Sequence, residues 1–201
     1  MTDITTSQQA TVATQKMKGK KFTLTEFNRA KHPSTHVKDI YILSDISGSM
    51  SGDKIVELRR ALKKVYRPGV VMLAFSSIVY SVTEADIDKL EEQGSTNMLT
   101  ALNEAWCTNP RHIILLTDGH PDGGATTILQ AATHHTDIPI DTIGIADQYG
   151  RDYDPHFLAE LARLTGGKFT DCNKPIQLTY IISNLLLEIG GTDKTEGVIT
   201  L

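Results

Sequence analysis

Four apolar runs limit what this chain can become. They are Ile40-Tyr41-Ile42-Leu43, Val70-Val71-Met72-Leu73-Ala74-Phe75, His112 to Thr117 and Ile138 to Ile145. The first two are apolar throughout and the third is apolar between its end residues, which calls for cover on both faces. Between them lie stretches with helical spacing. In Asp53 to Tyr66, Ile55, Leu58, Leu62 and Val65 share one face, and Arg59, Arg60, Lys63 and Lys64 gather towards the C-terminal end, where cations suit the helix dipole. Pro68-Gly69 stops that helix. Leu99, Leu102 and Trp106 form a stripe within 97–106, and Ala125 to His135 reads as a further helix. Asp154-Pro155 opens another, with a capping acid and a first-turn proline, and Gly166-Gly167 ends it after Leu164. Pro175 to Ile189 is a strongly apolar last helix. The pattern predicts an α/β fold whose mostly parallel central sheet has about six strands and helices on both faces. Ile78 to Val82 supplies one short antiparallel edge strand, and Lys168 to Thr170 a short last strand.

A chain of 201 residues, 40% hydrophobic and 22% charged, is long enough to bury one such core. No apolar run approaches the ~20 residues that span a bilayer. Met1 to Ser7 lacks the basic and then apolar order of a secretory signal, so a cytoplasmic protein without membrane attachment is expected. A mature extracellular module whose signal had been removed would read the same way. Cys107 and Cys172 are far apart, in no metal or redox spacing. Two reduced thiols are expected, with one structural disulfide as the alternative.

Charge divides the chain. Residues 1–38 carry seven basic side chains against two acidic ones, a net of +5, which leaves −9 for the rest of a chain at −4. Residues 1–36 read as a flexible basic N-terminal arm, 37–190 as the folded domain and 191–201 as a C-terminal tail. The Lys16 to Lys21 cluster reads as solvated. The sharper alternative is an electrostatic anchor for nucleic acid, an acidic protein or the domain's own acidic face. Four lysines without interleaved aromatics are a weak signal for nucleic acid.

Chemistry concentrates in three segments. Asp45-Ile46-Ser47-Gly48-Ser49 follows the first apolar run, Gly94-Ser95-Thr96-Asn97 precedes a helix, and Asp118-Gly119 follows Thr117. In a parallel sheet with right-handed crossovers, Asp45 and Asp118 both reach the carboxyl edge, where such sheets bind ligands. Asp45, Ser47, Ser49, Thr96 and Asp118 offer oxygen ligands and nothing softer, which suits Mg2+ or Mn2+ better than zinc. Gly48 lets the first loop curl so that alternate residues turn inward. Two carboxylates against a divalent ion leave a charge near zero. A hydroxyl-rich set of this kind leaves a coordination position that an incoming Asp or Glu can fill.

The three segments resemble the metal ion-dependent adhesion site (MIDAS) of the von Willebrand factor A (vWA) family: Asp-x-Ser-x-Ser, then Thr, then Thr-Asp-Gly. Ile143-Gly144-Ile145-Ala146-Asp147 resembles that family's fifth strand and its exit. Leu158 to Phe169, with Gly166-Gly167, resembles the helix, double glycine and strand that follow. The resemblance covers about residues 37–190. It implies a Rossmann-like vWA domain that binds a protein partner through the metal, the partner supplying an acidic residue. It also implies coupling between metal coordination and the last helix. Members lacking a signal sequence often act as adaptors inside the cell, some beside AAA-type ATPases. His120-Pro121-Asp122-Gly123-Gly124 departs from the pattern; His120 is either a contact for a bound carboxylate or a solvated loop residue.

Other readings stand beside this one. Asp45, Ser47 and Ser49 form a capping loop in the bland case. A metal-assisted phosphohydrolase also places an Asp after the first strand, yet needs a further acid or base nearby, and Ser47 stands two positions along. No G-x-S-x-G, H-E-x-x-H or phosphate-cradling glycine loop is present. A structural subunit with a structural metal is the third reading. His134 and His135 read as surface and half-buried helical residues, and Ser51 as a helix cap.

Overall fold

The computed structural model describes residues 40–146, 150 and 153–191, with the backbone alone of 16–17 and 20–21. The rest of the N-terminal arm, Asp147 and the tail beyond 191 lie outside the described residues. The chain divides into two compact units, Met1–Val37 and Lys38–Leu201. In the first, β1 (Lys16–Met17) pairs antiparallel with β2 (Lys20–Lys21), so the lysine cluster, read from sequence as a solvated part of the arm, contains a short strand pairing.

Among the described residues, the second unit holds six strands: β3 (Ile40–Asp45), β4 (Val70–Phe75), β5 (Val79–Val82), β6 (His112–Thr117), β7 (Ile140–Ile145) and β8 (Phe169–Cys172). Their order is β5-β4-β3-β6-β7-β8. All neighbours are parallel except β4 and β5, which are antiparallel. The α-helices among the described residues are α1 (Asp53–Val65), α2 (Glu84–Ile87), α3 (Met98–Trp106), α4 (Ala125–Ala132), α5 (Pro155–Thr165) and α6 (Leu178–Gly191). The fold class expected from the apolar runs is the one observed.

Pleating sends alternate side chains of each strand into opposite layers. Ile40, Ile42, Met72, Ala74, Ile114 and Leu116 pack with Ile55, Leu58 and Leu62 of α1 and with Leu178, Ile182, Leu185 and Ile189 of α6. Tyr41, Leu43, Leu73, Phe75, Ile113 and Leu115 pack the other way, against Met98, Leu102 and Trp106 of α3, Ile128 of α4, and Phe157, Leu158 and Leu161 of α5. Strand β3 is buried along its whole length, as its apolar sequence required.

The two glycines after α5 act differently. Gly166 takes φ +79° and caps the helix, its N–H donating to Ala162 and Arg163 carbonyls. At Gly167 a Cβ would stand 2.1 Å from the Ile140 carbonyl oxygen, so only glycine lets the chain pass β7 there. Asp154 accepts hydrogen bonds from the N–H groups of His156 and Phe157 at 2.9 and 3.1 Å, the expected cap.

Several boundaries differ from the sequence reading. Helix α4 ends at Ala132, so His134 and His135 lie past its end, the first exposed and the second half-buried, stacked on Trp106 with ring centroids 4.4 Å apart. Ser51 is exposed and stands at the C-cap of the 3-10 turn Gly48–Met50, while Gly52, with φ +74°, stands at the N-cap of α1. The last helix starts as a short 3-10 turn, Pro175–Gln177, and α6 takes in Gly190 and also Gly191, which sequence assigned to the C-terminal tail. Glycine lacks a helix-favouring side chain, yet α6 runs through both residues. Among the described residues, no helix is long and apolar enough to cross a membrane.

Candidate metal centre

Asp45 is the last residue of β3, and Asp118 follows the last residue of β6, its parallel neighbour. Both carboxylates therefore reach the same edge of the sheet and are completely buried. The loop after β3 is held from both sides. Ile46 N–H donates to the Phe75 carbonyl at 2.8 Å, and the Ile46 carbonyl accepts from Gln93 N–H at 2.7 Å. Ile46 and Met50 are buried plugs at either end of the turn.

The second loop is tied to the first and third and to the turn after β4. Gly48 N–H donates to the Gly94 carbonyl at 3.1 Å, Asn97 N–H to the Ser76 carbonyl at 2.9 Å, and Asp122 N–H to the Thr96 carbonyl at 2.9 Å. Gly94 has φ +68°, a turn that a side chain there would strain. These backbone bonds set Thr96 beside the other two loops, with its side chain nearly buried.

Side-chain hydrogen bonds involve four of the five predicted residues, Asp45, Ser47, Ser49 and Asp118. Ser47 Oγ and Ser49 Oγ are 3.1 Å apart, and Ser49 Oγ donates to Asp118 Oδ1 at 2.7 Å. Asp45 Oδ1 accepts from Ser47 N–H at 2.8 Å, and its Oδ2 accepts from Thr117 Oγ1 at 2.6 Å. A Cβ on Gly119 would lie 3.5 Å from Ser49 Oγ and 3.7 Å from Thr96 Oγ1, so both hydroxyls surround that point. Asp45, Ser47, Ser49, Thr96 and Asp118 are thus brought together; Ser49 is exposed and the other four are buried. His120 is exposed on the adjoining loop.

Burial raises the Asp45 carboxyl from its ordinary 3.8 to about 6. Hydrogen bonds from Thr117 and Ser47 oppose that shift, and the nearby Asp118 charge adds to it. Asp45 thus meets neutral donors. Asp118 meets a charge: Lys54 Nζ lies 2.5 Å from its Oδ2, and the Lys54 side chain is itself buried.

The donor set fits a hard cation. It offers two carboxylates and three hydroxyls at one mouth, with Ser49 open to solvent, and no nitrogen or sulfur ligand. Among the described residues no three His, Cys, Asp or Glu side chains converge, so a cation here would rely on the hydroxyls to complete its shell.

Sequence reasoning missed two participants. Thr117 was read as part of the motif but not as the residue that orients Asp45. Lys54 was not singled out, and its ammonium changes the charge count, since one of the two carboxylates, Asp118, already has a resident positive charge beside it. A signal for Lys54 existed: it precedes Leu58, Leu62 and Val65 at helical spacing, on the stripe that faces the core.

Comparison with known proteins agrees with this architecture. A sequence model of the von Willebrand factor type A domain matches residues 81–171. The human von Willebrand factor A domain-containing protein 3B is 32% identical over 154 residues, covering 67% of this chain. The chain spans only 12% of that relative's length. Among solved structures, a von Willebrand factor type A protein from Catenulispora acidiphila superposes with a TM-score of 0.66 at 21% identity, covering 77% of this chain and 43% of that one. BatB from Bacteroides thetaiotaomicron gives 0.60 at 17% identity, covering 77% and 99%. The SpRpn10 VWA domain gives 0.53 at 13%, covering 74% and 95%. The described domain has the von Willebrand factor type A fold, and these matches support that domain family.

Proposed function

We propose that this von Willebrand factor type A domain, of a kind that serves protein interaction, is a metal-dependent adaptor that captures an acidic side chain of a partner protein. One observation carries the reading. Three loops meet at the carboxyl edge of the sheet, joined by hydrogen bonds from Ser47 through Ser49 to Asp118 and from Thr117 to Asp45.

Asp45, Ser47, Ser49, Thr96 and Asp118 would hold Mg2+ or Mn2+. The ion, when bound, supplies an electrophilic centre for a partner's Asp or Glu. The chain's own residues do the positioning. Thr117 and the Ser47 N–H fix the two oxygens of Asp45, and the three backbone ties between loops keep the hydroxyls turned toward one point. Two unpaired thiols, Cys107 and Cys172, suit a reducing compartment such as the cytoplasm. A subunit of an AAA-type ATPase complex is one partner class that the resemblance suggests. Hydrolysis of a phosphoester would call for a further acid or base at the two carboxylates. The charged side chain found on Asp118 is instead Lys54, paired and buried.

The test is a pull-down from lysate with the tagged protein, run in parallel with Mg2+ and with EDTA. A protein retained only with Mg2+ is the expected result. An identical set in both conditions would move recognition to another face. Asp45→Ala should abolish the metal-dependent capture while leaving the far-ultraviolet circular dichroism unchanged; loss of folding would make the metal structural. No turnover of a generic phosphoester with Mg2+ is expected, and measurable turnover would favour the enzyme reading.

A further inference from the structure

A cation site with two carboxylates has no need of a buried ammonium, yet the first turn of α1 brings one. Lys54 is 5% exposed, lies beside the core residue Ile55, and reaches Asp118 Oδ2 with Nζ at 2.5 Å. Asp118, with no exposure of its own, divides its oxygens between Lys54 and the Ser49 hydroxyl. Asp45 divides its oxygens between the Thr117 hydroxyl and the Ser47 N–H, both neutral. The two acids are therefore not equivalent. One has a charged partner built into the fold and the other has only dipoles.

This asymmetry has two physical consequences. An ionised carboxylate buried without a counter-charge is costly, and an ammonium at hydrogen-bond distance offsets much of that cost. The same ammonium repels any divalent ion that approaches Asp118, and water screens this repulsion poorly in a buried site.

We propose that Lys54 is a resident counter-cation that competes with the divalent ion for Asp118. It holds the loops in register while no ion is bound, and it weakens the ion's grip. The inference rests on the metal-dependent reading above and names what regulates that site. Lys54 touches no partner in this scheme; it is a positioning residue acting through Asp118. A site tuned in this way folds without waiting for metal and releases its ion readily.

The experiment is a Mg2+ titration of the chelator-treated full chain, read by calorimetry and by thermal midpoint, for the wild type, Lys54→Met, Asp118→Asn and the Lys54→Met/Asp118→Asn double variant. Methionine keeps the stem's bulk and removes the charge. Lys54→Met should bind Mg2+ at least about tenfold more tightly than the wild type, from the loss of a like charge in a poorly screened site. Its metal-free midpoint should fall, so that added Mg2+ raises it further than in the wild type. Equal Mg2+ affinity in the two proteins would overturn the proposal while leaving the metal site standing. Binding by Lys54→Met and not by the wild type would support competition and refute the reading of the wild-type site as metal-loaded. Binding by neither overturns both. Should Lys54→Met fail to fold even with Mg2+, the double variant, which removes both charges of the Lys54–Asp118 pair, must fold. If it also fails, Lys54 serves packing and the proposal falls.

Discussion

The residue that most shapes the chemistry of this site is Asp45. Its carboxyl is raised to about 6 by burial, against an unfolded value near 3.8. A group whose folded value is raised binds its proton more tightly in the folded state. In metal-free protein, its contribution to stability is fully present below 3.8 and is lost as pH rises through about 6. Metal binding has the opposite dependence, because the ligand must be ionised. The rise in thermal midpoint on adding Mg2+ should therefore shrink between pH 7 and pH 5, measured by scanning calorimetry with and without ion. A constant difference across that window would mean that Asp45 does not ligate the metal. Thr117 enters here as well: Thr117→Val removes the hydroxyl that fixes Asp45 Oδ2. The loss of one buried hydrogen bond to a charged group should cost roughly 1.5–3 kcal/mol of stability at neutral pH, read by urea denaturation.

At the scale of elements, the loops hold their shapes because the chain at their ends is specified by sterics. The double glycine after α5 separates two causes that sequence writes identically. Gly166→Ala places a side chain at φ +79° with nothing within 4 Å, so only backbone strain opposes it, about 1–2 kcal/mol. Gly167→Ala drives a methyl group onto the Ile140 carbonyl, and β7 or α5 must move. Its cost should exceed that of Gly166→Ala, in the range of about 1–3 kcal/mol or more for overpacking. Equilibrium unfolding of the two variants side by side checks the order. The apolar stripe of α1 illustrates the same limit. Its spacing reveals that Lys54 points inward with Leu58 and Leu62, but not that Asp118, remote in sequence, waits at its end.

For the whole molecule, the central sheet makes the two layers one cooperative unit. Ile40 and Ile42 of β3 face α1 and α6, while Tyr41 and Leu43 of the same strand face α3 and its neighbours. Neither layer can lose its packing without stripping one face of the shared strands. Trp106 is the single tryptophan and reports on one layer, and buried Cys172 reports on the other. In a Cys107→Ser background, which removes the exposed thiol, tryptophan fluorescence and Cys172 reactivity should give the same urea midpoint. Separated midpoints would show that the layers unfold independently.

Much of this was determined by sequence alone. Apolar runs with no polar face can only be interior strands, amphipathic stretches can only cover them, and right-handed crossovers then bring every strand-to-helix loop to one edge. The α/β class, the antiparallel edge strand and the meeting of Asp45 with Asp118 follow from those local rules. The ends of α4 and α6 did not follow, because a helix terminus depends on what the next residues pack against as much as on their propensity. Nor did the pairing of Lys54 with Asp118. A lysine on an apolar stripe carries no sign of its partner, since charge pairing across 64 positions of chain exists only once the sheet has brought α1 and the end of β6 together. Local periodicity determined where the site lies; tertiary contact alone decided which charges it holds.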